Sequence, residues 1–94
     1  MSYAEMHSYN NITGQATTVV KAGSGLLHTI TFNTPVATET VTIFDSLTGS
    51  GTKIGTITVP ASPMPVTLTY DCRFSLGLTI VTATASSDIT VTFK

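Results

Sequence analysis

Gly25-Leu-Leu-His-Thr-Ile-Thr-Phe-Asn-Thr34 sets a two-residue beat that most of the chain repeats. On an extended backbone, alternate side chains point to opposite faces, so Leu26, His28, Ile30 and Phe32 fall on one side and Leu27, Thr29, Thr31 and Asn33 on the other. The first side reads as core and the second as surface. The same apolar-in, threonine-out pattern recurs at Val41 and Ile43, at Val66, Leu68 and Tyr70, at Leu78 and Ile80, and at Ile89, Val91 and Phe93. Twenty of the 94 residues are threonine, and β-branched side chains are stiff and favoured on pleated sheets, so strand is expected throughout.

Working outward from this stretch, turn residues divide the chain. Gln15–Ala22 is a candidate strand, ended by Gly23-Ser24-Gly25. Pro35 closes the reference strand, because proline cannot donate to a ladder. Thr38–Asp45 and Thr52–Val59 flank a loop dense in turn residues, Asp45–Gly51, and read as a hairpin with Thr40, Thr42 and Phe44 on the outer face. Within Thr52–Val59 the apolar beat slips one step, and a bulge at Gly55 would bring Ile54, Ile57 and Val59 to one side. The segment 60–65 holds three prolines and reads as a stiff connector. Val66–Asp71 alternates cleanly, Asp71–Ser75 reads as a corner, and Leu76–Ala83 and Asp88–Lys94 complete the set. The expectation is an all-β, antiparallel β-sandwich of seven to eight strands, jelly-roll or immunoglobulin-like, because the connections are too short for crossover helices.

Length allows one domain. Residues 14–94 form the sandwich in this reading, and residues 1–13 form an N-terminal arm that could contribute an eighth strand or fray. The arm carries Tyr3, Met6, His7 and Tyr9, residue types that offer large contact area at interfaces, and these four are the candidate partner-binding residues. The start of the chain lacks the basic flank and apolar run of a secretion signal, and synthesis in the cytoplasm is expected. Only nine residues are charged, four basic and five acidic. Such a chain offers no field to steer a polyanion, which argues against nucleic acid and against an anionic membrane as partners. Sparse charge also suggests a surface partly covered by another protein.

The residues that could carry chemistry are few. Cys72 is the single cysteine; a nucleophile would need His7 or His28 as base, and a packed thiol is the expectation. His28 falls on the apolar face, where a histidine at the rim of the core with one satisfied nitrogen is expected. Asp45 heads a polar loop, but one carboxylate among hydroxyls is a turn initiator before it is a calcium ligand. Glu39, Asp71 and Asp88 sit at different strand ends, so no carboxylate pair is predicted. Threonine pairs of the form Thr-x-Thr begin at 29, 38, 40, 56, 67, 82 and 90, too irregularly for the fixed period of an ice-binding solenoid. Neither a catalytic residue nor a cofactor or metal is expected.

Taken together, Gly25–Thr34, Val41-Thr-Ile-Phe-Asp45, Gly51-Thr-Lys-Ile54, Val66-Thr-Leu-Thr-Tyr-Asp71, Phe74, Gly77-Leu-Thr-Ile-Val81 and Asp88-Ile-Thr-Val-Thr-Phe93 resemble small all-β virion proteins of tailed bacteriophages, many of which look like capsid decoration, or cement, proteins. The similarity covers residues 19–94. It implies a non-enzymatic virion protein that binds the outer surface of an assembled head, with the major capsid protein lattice as partner and a trimer as the oligomer. Other such proteins resemble fibre or tail components, so a receptor- or glycan-binding module using Asp45–Gly51 and Pro60–Pro65 is the alternative.

Overall fold

The computed structural model describes residues 6–94. Eight strands follow one another: β1 (Ser8–Thr13), β2 (Ala16–Ala22), β3 (Gly25–Phe32), β4 (Thr40–Asp45), β5 (Thr52–Thr58), β6 (Val66–Phe74), β7 (Gly77–Thr82) and β8 (Asp88–Phe93). They form two antiparallel sheets with strand orders β1-β8-β3-β6 and β2-β7-β4-β5. Strand n pairs with strand 9 − n in every case: β1 with β8, β2 with β7, β3 with β6 and β4 with β5. That is one long antiparallel ribbon rolled up on itself, a jelly roll, and it decides between the two expected sandwiches. Only β4–β5 is a hairpin within a sheet; the other six connections cross from one sheet to the other.

The inner faces meet in a core of Ile12, Leu27, Ile30, Phe32, Val41, Ile43, Val59, Phe74, Leu78, Ile80, Ile89 and Val91. Ile54, Ile57, Leu68, Tyr70 and Phe93 pack against it from the margins. The predicted hairpin is present, and its loop folds back on the outer side of its own sheet. Thr79 donates its hydroxyl to Ser46 O at 2.7 Å, and a Cβ on Gly49 would lie 3.2 Å from Thr17 and 3.3 Å from Val81. Phe44, opposite Thr79 in the register, is nearly buried, although alternation places it on the outward face.

Four boundaries differ from the sequence reading, three of them through local breaks in strand geometry. Leu27, and not Leu26, enters the core with Ile30 and Phe32, because the register of β3 slips between Leu27 and Thr29 against both neighbours. His28 is the residue inside that slip. In β5 the residue skipped in the pairing with β4 is Ile54, immediately before Gly55. The predicted corner at 71–75 is strand as far as Phe74; Asp71 adopts a left-handed φ of 48° inside it, a conformation that aspartate tolerates better than most side chains. The turn to β7 is only Ser75-Leu76. Finally, the expected arm is not separate from the sandwich: Ser8–Thr13 is β1, paired along its length with β8, and Ile12 is 3% exposed in the core.

Candidate functional site

Both slips in the register of β3 fall at one residue, His28. One residue of β3, His28, faces two of β6, Tyr70 and Asp71, and the left-handed turn of the backbone at Asp71 brings its carboxylate to His28 Nδ1. On the other side of His28 lies the ring of His7, stacked at a centroid distance of 4.1 Å and an interplanar angle of 12°. His7 immediately precedes β1, so the stack fixes where the chain enters the sheet. Partial burial, then the neighbouring His28 and Lys94, push the His7 pKa below its ordinary value, with Asp71 acting against them. The expected histidine with one satisfied nitrogen is therefore present, but at a bulge on the rim and not on the inward beat. Neither its carboxylate partner, 43 residues away, nor its ring partner has a local signature in the sequence.

The fold uses the three described arm candidates, Met6, His7 and Tyr9, differently. Tyr3 lies outside the described residues. His7 is held by His28, whereas Met6 and Tyr9 stand 46% and 76% exposed. Tyr9 pairs with Thr92, and its neighbours across the sheet are the outward threonines Thr29 and Thr69. Threonine hydroxyls bond to one another across this face, Thr31 to Thr67 at 2.9 Å, and Asn33 donates to Thr90 at 2.9 Å. The result is a firm, threonine-rich surface with an aromatic side chain at its β1 border.

The other candidates are engaged in holding the fold. The Asp45 carboxylate accepts from the backbone N–H groups of Ser75 at 2.9 Å and Leu76 at 2.8 Å, and these bonds, Leu76 foremost, draw its pKa below the ordinary carboxylate range. It anchors a turn, as expected of it, but the turn between β6 and β7. Glu39, assigned only to a strand end, is buried and accepts a hydrogen bond from the Ser87 hydroxyl. Burial, with Asp71 and Asp45 adding to it, pushes the Cys72 thiol up, the reverse of what an attacking thiolate requires. Among the described residues, no hydrogen bond ties either imidazole to a hydroxyl or thiol, and no three His, Cys, Asp or Glu side chains converge as a metal would require.

At the opposite border, where β5 and β6 are the edges of their sheets, the proline connector lines a groove of about 380 Å³ with Phe32, Ile57, Val66 and Leu68. Met64 is 77% exposed there, and no charged side chain lines it. Compared with models of protein families, with curated proteins and with solved structures, the chain matches none.

Proposed function

We propose that this protein is a structural component of a bacteriophage virion, which binds the outer surface of the assembled head as a trimer and stabilises the shell. The observation that carries this reading is the border at Met6 and Tyr9: Tyr9 is largely exposed and Met6 about half exposed, beside the His7–His28 stack and on the strand that sets Ile12 in the core. A tyrosine on a rigid frame, with two side-chain torsions, loses little entropy when a partner covers it. The surrounding threonine face carries few charges to desolvate, which suits contact with another protein. The resemblance of residues 19–94 to virion proteins supplies the partner, the major capsid protein lattice. A ligand that binds only the assembled lattice lowers its free energy relative to free subunits, and stabilisation follows by mass action.

Co-sedimentation with purified phage heads tests the proposal. Saturable binding to assembled heads, absent with unassembled capsid subunits and weakened at least tenfold by Tyr9→Ala, is expected, with light scattering giving the mass of a trimer. Failure to co-sediment with heads at any concentration would overturn it. The truncation to use removes residues 1–7; removing 1–12 would also strip β1 and Ile12 from the sandwich and confound folding with binding.

A further inference from the structure

Two imidazole rings meet at the rim, and one described carboxylate reaches them. His7 and His28 are stacked with their centroids 4.1 Å apart, and Asp71 is bound to His28 Nδ1. With one carboxylate between them, the two rings accommodate a single imidazolium. A second proton sets two cations face to face, and a like charge at that separation disfavours the charged form of both.

The two rings are not held equally. His28 lies inside the slip of β3, between Leu27 in the core and Thr29, which is paired on both sides, and Asp71 is set against it by its left-handed φ of 48°. His7 precedes β1, whose pairing with β8 begins at Ser8. Among the described residues, its side chain is held by the ring contact with His28 and by no hydrogen bond. When the rings repel each other, the one that yields is His7.

We infer that the His7–His28 stack is an acid-opened latch: protonation of His7 parts the rings and releases the chain ahead of β1 from the rim, while His28 stays on Asp71. The charged groups acting on His7 come from three elements, His28 on β3, Asp71 on β6 and Lys94 after β8. Cys72 and Arg73 follow Asp71 on β6, Tyr9 follows His7 on β1, and Glu5 lies outside the described residues. The direction of the His7 shift agrees with the geometry. Its pKa in the fold lies below the ordinary value of about 6.5, so the released ring takes the proton first. The stabilisation by the stack is complete above that value and is lost as pH falls from it towards the folded pKa. The opening is local, because Ser8–Thr13 stays paired with β8 and Ile12 stays in the core. Met6 adjoins the latch, so a partner held through Met6 is held less firmly in acid. The latch belongs to the fold and stands whether or not that partner is a capsid.

Nuclear magnetic resonance of the isotopically labelled full chain tests it, following the imidazole signals and backbone amides from mildly alkaline to mildly acid pH. The His7 ring is expected to titrate below about 6.5, with loss of cross-relaxation between the two rings and a shift of the Ser8 amide over the same range, while the Ile12 and Ile89 amides do not move. His7→Phe keeps a ring that takes no proton and should hold the Ser8 amide still. His28→Ala removes the stack and should return the His7 titration to its ordinary value. Glu5→Gln should leave the Ser8 transition in place. Cross-relaxation that survives protonation of His7, an equal Ser8 transition in His7→Phe, a His7 titration unmoved by His28→Ala, or a transition abolished by Glu5→Gln would each overturn the latch.

Discussion

Replacing Ile12 with alanine tests where this domain begins. Ile12 is 3% exposed, belongs to the central cluster and pairs with Ile89 across β1 and β8. Truncating a buried isoleucine to alanine removes apolar contacts and leaves a cavity, at about 2–5 kcal/mol. Because β1 is an edge strand, the site can partly collapse, and a loss of about 3 kcal/mol is expected. Total stability at about 0.05–0.15 kcal/mol per residue is about 5–14 kcal/mol for a chain of 94 residues, so the change removes a fifth or more of it. In urea, with a slope of about 1 kcal/mol per molar, the midpoint should fall by about 3 M at unchanged slope. Tyr9→Ala, three residues away on the same strand but 76% exposed, should stay within about 0.5 kcal/mol of the parent. A loss below about 1 kcal/mol for Ile12→Ala, or equal losses at the two sites, would refute the docking of β1 into the core.

Two further outcomes follow from single contacts. The Asp45 carboxyl titrates lower in the folded chain than in the unfolded one, so its stabilisation is complete above the unfolded value and fades as pH falls through the folded one. Asp45→Asn should therefore be less stable at neutral pH and show a shallower loss of stability in the acid range; parallel acid profiles by circular dichroism would contradict this. At Gly25 a Cβ would lie 2.2 Å from Lys94 O and 2.7 Å from Phe74 Cζ, so Gly25→Ala must disturb either the Leu26–Lys94 pairing or the Phe74 ring. A fall in Tm of at least about 4 °C, the equivalent of about 1 kcal/mol in a domain of this size, is expected by calorimetry, and an unchanged Tm would show that the backbone yields without penalty.

Much of the candidate site is invisible before folding because bulges rewrite the alternation locally. Period-two reading puts Leu26 and His28 in the core; a slip in register at His28 gives the place to Leu27 and turns His28 to the rim. Asp71 resembles a corner residue because a left-handed aspartate usually marks one, yet β6 continues beyond it to Phe74. Asp45 is legible as a turn residue by type, but the N–H groups that it holds belong to Ser75 and Leu76, which no loop composition around Asp45 announces. The arm reads as separate because Ser8–Thr13 lacks a clean apolar beat; as an edge strand it needs only Ile12 facing inward.

What the sequence determined by itself is local: strands, because threonine, valine and isoleucine suit a pleated surface; most of the inward residues, because side chains alternate; the β4–β5 hairpin, because turn residues cluster between two strands. The tertiary structure alone decided that β1 closes against β8 and β2 against β7, making the sandwich a jelly roll, and that His7, His28 and Asp71 meet at one rim. Those are meetings between residues some twenty to eighty positions apart, fixed by how two sheets bury their apolar faces together, and the period of a single strand carries no record of its partner.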